Sequence, residues 1–153
     1  ILGQVLQRRE NREHVRDCLV QGIFSDPTIE REYREIHEEM ERLIEKSIRK
    51  TQIEGKKYRI GFAPLFGYPS ETAAAMRKAL GTDMEVLISA SGRFSLRSVP
   101  PVSHILARNF GGGGHPHAAG GNFPFGFWDK ILFRLLGRCP HIRRFVETAE
   151  SLP

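Results

Sequence analysis

Two stretches of this sequence combine residue types that can handle an anion. The first runs Gly111-Gly112-Gly113-Gly114-His115-Pro116-His117-Ala118-Ala119-Gly120-Gly121. Four successive glycines reach backbone angles closed to other residues. They can turn several N–H groups into one concavity suited to anionic oxygen. His115 can donate a hydrogen bond to the same oxygen and, when protonated, a charge; His117 offers a second imidazole. No Gly-Lys-Ser/Thr follows the run, and no GxGxxG opens a helix after a strand, so it is neither a Walker A loop nor a dinucleotide fingerprint. With no carboxylate or third ligand beside it, His115-x-His117 is a weak metal pair. For the glycines alone, a flexible connector is the bland alternative.

The second stretch is Arg93-Phe94-Ser95-Leu96-Arg97-Ser98. As a strand it places Phe94 and Leu96 on one face and Arg93, Ser95 and Arg97 on the other. Two guanidinium groups and a hydroxyl on one face suit phosphate, which Arg matches bidentately. A solvated outer face is the alternative.

These residues need a scaffold. Residues 4–20 read as a moderately amphipathic helix, broken by Gly22 and Ser25-Asp26-Pro27. Asp26 suits an N-cap and Pro27 a first helical position. Residues 27–53 read as one helix of roughly 40 Å, with Ile29, Tyr33, Ile36, Met40 and Leu43 as its seam and Gly55 as its end. A helix of that length either docks on another domain or second subunit, or packs along its own sheet. Residues 57–64, 84–90 and 93–98 read as strands, the last two joined through Ser91-Gly92 as a hairpin. Residues 70–80 read as a helix, and 102–110 as a short one with Val102, Ile105, Leu106 and Phe110 inward. Residues 118–125 read as an edge strand, 127–137 and 141–150 as helices. The fold class is α/β: a small mixed β-sheet flanked by helices, preceded by a long N-terminal helical linker. Residues 1–53 are the connector and 54–153 the domain carrying the anion-handling stretches.

Composition narrows the class. With 153 residues, 40% hydrophobic and 27% charged, the chain can bury a core and is not a disordered tail. No run of apolar residues reaches membrane-spanning length, and no membrane partner is expected. Cys18 and Cys139 form no cluster, which fits a reducing, cytoplasmic compartment. No secretory leader is visible, and the start at Ile1 rather than Met reads as a fragment of something longer. Charge is uneven: residues 92–153 hold eight basic and three acidic residues, which accounts for the whole surplus of +5. Such a surface attracts phosphate, nucleotides or nucleic acid, or simply aids solubility.

Taken together, Ser-Leu-Arg-Ser (95–98), a helix, then Gly-Gly-Gly-His-x-x-Ala-Ala-Gly (112–120) resembles the C-terminal DHH-associated domain of DHH-family phosphoesterases. The resemblance covers about residues 57–125; Ser70-Glu71 opening the preceding helix is a weaker match. It implies a phosphate grip by Arg97 and His115 with the backbone of Gly112, Gly113 and Gly114; Ser98, Arg93 and His117 are further candidates. Members cleave short oligoribonucleotides, 3′-phosphoadenosine phosphate, cyclic dinucleotides or single-stranded DNA. Their catalytic domain holds two manganese or magnesium ions with several aspartates and an Asp-His-His. This chain has four scattered aspartates, Asp17, Asp26, Asp83 and Asp129, none before a His-His pair. No metal site or catalytic residue is therefore expected here. The resemblance implies a substrate-binding part, with catalysis by a separate N-terminal domain as its partner.

Two rival readings remain. The related C-terminal domain of alanyl-tRNA synthetases binds RNA, but with Gly-Gly-Gly-Arg where this chain has Gly-Gly-Gly-His. The long seam helix could instead make a homodimer.

Overall fold

The structure is a computed structural model and describes residues 5–6, 11–24 and 26–152. It divides into two compact units, Ile1–Leu43 and Ile44–Pro153. Among the described residues, no helix is long and apolar enough to cross a membrane.

The N-terminal unit contains helix α1 (Arg12–Val20) and most of α2 (Pro27–Arg49). Of the helix expected over 4–20, residues 4 and 7–10 lie outside the described residues, as does Ser25 in the expected break. Val5, Val15, Cys18 and Ile29 are buried together, with Leu6 and Tyr33 against them. Asp26 caps α2: its Oδ1 accepts the Ile29 N–H at 2.7 Å. Its Oδ2 accepts from His14 Nε2 at 2.8 Å and from the Cys18 thiol at 3.4 Å. The Ile29 amide, helped by His14 and Cys18, holds the Asp26 carboxyl below the usual range against the opposing effect of desolvation. Burial first, and then Asp26, push the Cys18 thiol up.

The helix expected to run to residue 53 stops at Arg49. Lys50 and Thr51 turn their N–H groups onto Ser47 and Ile48 carbonyls at 3.1 Å each. Strand β1 (Gln52–Glu54) follows and pairs antiparallel with β2 (Ile60–Pro64). Thr51 and Ile53 are β-branched, and Gly55 takes φ +95° in the turn between the strands, where a Cβ would lie 2.3 Å from the Tyr58 carbonyl oxygen.

After β2 the chain crosses over through α3 (Pro69–Leu80) to the parallel strand β3 (Met84–Ile88). Strand β4 (Arg93–Ser98) returns antiparallel to β3, and Gly92 in the connection takes φ +93°. Then come α4 (Ser103–Arg108), β5 (Gly113–His115), β6 (Ala118–Asn122), α5 (Phe127–Leu136) and α6 (Ile142–Glu150). The six strands form one mixed sheet in the order β1-β2-β3-β4-β6-β5. The fold is α/β, with six helices and six strands among the described residues.

Two strand expectations change. The stretch after the histidines is not an edge: β6 lies between β4 and β5. The edge belongs to Gly113–His115, so the glycine run, which reads from sequence as a loop or flexible connector, ends in a strand. Polyglycine carries no strand propensity of its own, so this strand exists because β6 offers it a partner.

Strand parity separates the two sheet faces. One carries Ile60, Phe62, Met84, Val86, Ile88, Phe94 and Leu96, all in the main core with Leu106, Phe110, Phe123, Phe133 and Phe145 from the connections and later helices. Ile105, expected inward, is exposed, and Ala107 is buried in α4 instead. The other face carries Ala63 and Leu87 under Ala73 and Met76 of α3.

The cap at Asp26 gives a pH test. A carboxylate held below its ordinary pKa contributes stability that is complete above ~3.9 and is lost as pH falls through the lower, folded value. Hydrogen exchange at the Ile29 amide should therefore lose protection on acidification. Asp26→Asn, which keeps a capping oxygen, should flatten that dependence. Unchanged acid sensitivity in the variant would assign it to other groups.

Candidate functional site

The site is built on three adjacent strands. Arg97 of β4 pairs with Ala118 of β6, and Ala118 pairs with His115 of β5. The next row is Ser95–Gly120–Gly113, and beyond it Arg93 faces Asn122. Directly opposed residues share a face. Arg93, Ser95 and Arg97 therefore stand with His115 on the face opposite Phe94 and Leu96, as strand alternation predicts. Arg97 and His115 are two strand spacings apart, ~10 Å, with only Ala118, Gly120 and Gly113 as floor between and beside them. Arg93 stands at the far end of β4, about 13 Å along the strand from Arg97.

Helix α3 covers β2 and β3 on this face and stops at β4. The Arg97 guanidinium closes the corner, donating from Nη2 to Ser70 Oγ at 3.2 Å. Its Nη1 donates to Ser95 Oγ and to the Leu96 carbonyl, each at 3.1 Å. This fixes the side chain beside the first turn of α3, where amides without intrahelical acceptors favour negative charge. A shallow groove of about 370 Å³ opens here, lined by Ser70, Ala73, Arg77, Arg97, Ser98 and His117 among others.

The other predicted residues fall into two groups. His117 hooks over the end of β4, where its Nδ1 donates to the Ser98 carbonyl at 3.2 Å. Its Nε2 then points a lone pair outward unless the ring is doubly protonated. His117 shares the groove with Arg97, whereas His115 is across β6 on the open floor. Ser98 has the parity of the core: its hydroxyl donates to the Pro100 carbonyl and bonds Ser103 Oγ, both at 2.6 Å. The structure thus places Arg97, His115 and His117 on one side and turns the Ser98 hydroxyl away.

The glycines divide likewise. The Gly111 and Gly112 amides donate to the Arg108 and Ala107 carbonyls at 3.3 and 2.9 Å. They close the end of α4 instead of standing open as a nest. A Cβ on Gly112 would lie 1.9 Å from the Gly120 carbonyl oxygen, and Gly114 has φ +148° with its Cβ position 2.6 Å from Ala118 and Ala119 backbone. Both are required by the close approach of β5 to β6. A Cβ on Gly113 would meet nothing within 4 Å.

Sequence reasoning missed the ion pair that seats α3. Glu85 of β3 is fully buried, beside Arg97 in register. Arg77 Nε donates to its Oε1 at 3.1 Å and Nη2 to its Oε2 at 2.5 Å, and Thr82 Oγ1 donates to Oε1 at 2.6 Å. The Glu85 carboxylate foremost raises the Arg77 pKa. A lone carboxylate in the apolar strand MEVLI was the available signal, because a buried charge requires a partner.

The aspartate cluster that two-metal hydrolysis requires is not found among the described residues. Among the described residues, the one group of three with metal-ligand atoms close together is His14, Cys18 and Asp26, in the N-terminal unit. This donor set does not fit a two-manganese or two-magnesium centre.

No family model matches the chain, and no curated protein matches it in sequence. Solved structures do match. An exopolyphosphatase-related protein from Bacteroides fragilis is 18% identical, covering 94% of this chain and 44% of its own, with TM-score 0.50. A pGpG-specific phosphodiesterase from Vibrio cholerae is 11% identical over 76% of this chain and 44% of its own, with TM-score 0.53. A DHH domain described as a member of a family of ribosomal proteins is 15% identical over 93% of this chain and 35% of its own, with TM-score 0.48. The first two share this chain's fold. The chain spans less than half the length of each of the three.

Breaking the Arg77–Glu85 pair strands a buried carboxylate. Arg77→Ala should cost about 2–3 kcal/mol, less than a fully buried pair because the arginine end reaches solvent. Urea denaturation would measure it; a loss under ~0.5 kcal/mol, the range of an ordinary surface substitution, would show that α3 is seated by its apolar contacts alone.

Proposed function

We propose that this chain is the phosphate-gripping, substrate-binding part of a DHH-type phosphoesterase acting on short oligonucleotides or small nucleotides. The observation that carries the reading is the row Arg97–Ala118–His115 across an open floor without bulky side chains. Arg97 supplies a fixed guanidinium and His115 an exposed imidazole. Ala118, Gly120 and Gly113 let a phosphodiester lie against the backbone between them, and the first turn of α3 adds its positive end. His117 reaches the same substrate from the groove side when doubly protonated. The fold neighbour described as acting on pGpG is compatible with a linear dinucleotide as the substrate class.

In this reading the chain binds and orients. Arg97 and His115 hold the substrate's phosphodiester backbone from either side of the Ala118 floor, and the scissile bond would be presented to a two-metal centre on a partner domain that would supply manganese or magnesium. Positioning of this kind lowers the barrier without any protein group here forming or breaking a bond.

Calorimetry with a 5′-phosphorylated dinucleotide tests the reading. Arg97→Ala and His115→Ala should each weaken binding about 10- to 100-fold, the worth of a charge-assisted hydrogen bond, with circular dichroism unchanged. Gly113→Val should fold normally and also bind weakly, because its side chain fills the floor. Unchanged affinity in both the arginine and histidine variants, or no binding by the wild-type chain, would overturn the assignment. A steep fall of affinity with salt would favour the RNA-binding reading, since many phosphates would then be contacted.

A further inference from the structure

Helix α5 is held to the domain by one buried residue. Phe133 packs inward and contacts Phe125 with ring centroids 5.4 Å apart. Ile131 is half-buried, and the rest of its apolar content faces out. Phe127 is 72% exposed, Trp128 71%, Leu135 73% and Leu136 65%, with Leu132 beside them at 41%. At about 100° per residue these five positions occupy one continuous half of the helix circumference, opposite Phe133. Single exposed apolar residues are ordinary; a contiguous patch of this kind marks an interaction surface.

The ridge is bordered by cations on one flank and by the capping residue Asp129 on the other. Lys130 and Arg134 border the apolar arc on its Phe127 side, and Arg138 follows the helix. The three acidic residues of the last 62 are all engaged. Asp129 Oδ2 accepts the Gly126 N–H at 2.8 Å and caps α5. Glu147 pairs with Arg143 at 2.9 Å, and Glu150 accepts the Lys56 and Lys57 amides. Among the described residues, no carboxylate pairs with Lys130, Arg134 or Arg138. An apolar arc of Trp, Phe and Leu rimmed by Lys and Arg is the pattern of a helix that lies in a membrane interface. The ridge is convex, its Phe127 flank carries cations alone, and the one carboxylate on its other flank is turned back onto the Gly126 N–H, so it complements a negatively charged lipid surface in shape and, along the basic flank, in sign.

We infer that α5 docks this protein onto anionic lipid, with Phe127, Trp128, Leu132, Leu135 and Leu136 entering the headgroup–acyl boundary and Lys130, Arg134 and Arg138 meeting lipid phosphates. This departs from the sequence expectation of no membrane partner. That expectation tested for a spanning run, and a helix that lies on a surface has none.

Trp128 is the only tryptophan in the chain, so its emission reports on the ridge directly. The full chain is titrated with vesicles of equal parts phosphatidylcholine and phosphatidylglycerol, and with pure phosphatidylcholine. The expected result is a blue shift with the anionic vesicles that salt reverses. Lys130→Ala with Arg134→Ala should lower the apparent partition about thirtyfold, at roughly one kilocalorie per charge. Leu135→Glu, at an exposed position that leaves the core intact, should abolish the shift. Emission indifferent to vesicles overturns the inference. So does a shift that depends on protein concentration without lipid, because the ridge is then covered by a second copy.

Discussion

The geometry of the candidate site depends on one buried carboxylate. Glu85 is in the central strand, on the face where α3 packs, and no solvent reaches it. Such a group is costly unless its lone pairs are taken. Arg77 takes both oxygens from the last turns of α3, and Thr82 takes a second bond from the turn that leads into β3. Apolar packing of Ala73 and Met76 would tolerate a sliding helix; a bidentate pair does not. With the last turns of α3 pinned, its first turn is placed beside β4, where Ser70 meets Arg97. The neighbouring row of the sheet therefore inherits its geometry from an ion pair that touches no ligand in the proposed reading.

Strand parity does the rest. β4 sends Phe94 and Leu96 into the aromatic core and Arg93, Ser95 and Arg97 to the other side. The core side is crowded: the Phe94 ring centroid lies 6.0, 4.5 and 5.8 Å from those of Phe110, Phe123 and Phe145. That crowding leaves the β4 register no freedom, since a slip of one residue would place Arg97 among phenylalanines. Across from it, β6 and β5 present Ala118, Gly120 and Gly113. The same pair of strands is thus packed tightly on one face and bare on the other. Gly112 and Gly114 serve the tight approach; Gly113 leaves the opposite side open.

The alternating and periodic segments were legible from sequence because their pattern matches their environment. β3 is apolar throughout and central, β4 alternates and has one buried face, and Asp26-Pro27 starts a helix. Two features were not legible. The strand at Gly113–His115 has no propensity signal and forms only because β6 is beside it. The glycine amides looked available as a nest, yet Gly111 and Gly112 bond carbonyls of α4, a closure that composition does not encode. Ser98 is a candidate only through the resemblance of Ser-Leu-Arg-Ser, and strand alternation sends it to the face opposite Arg97. The Arg77–Glu85 pair was available as the one charge in an apolar strand, but its partner could not be named before the crossover put α3 above it.

Five of the eight basic residues of 92–153 fall into two groups with different surroundings. Arg93 and Arg97 project from the face of β4 that α3 leaves open. Lys130, Arg134 and Arg138 belong to α5 and its exit, and α5 is anchored through Phe133 into the core on the other face. The sheet and the aromatic layer stand between them. Packed layers are separated by ~10 Å, comparable to the screening length at about 0.1 M salt. One phosphate therefore cannot bridge Arg97 and Arg134, which stand on opposite sides of the sheet. The basic stretch that composition presents as one surface thus includes two groups with different neighbours. Arg97 and His115 stand over a polar floor of backbone, suited to a discrete phosphate. The cations of α5 stand beside exposed Trp128 and Leu135, a setting that a discrete phosphate would leave uncovered.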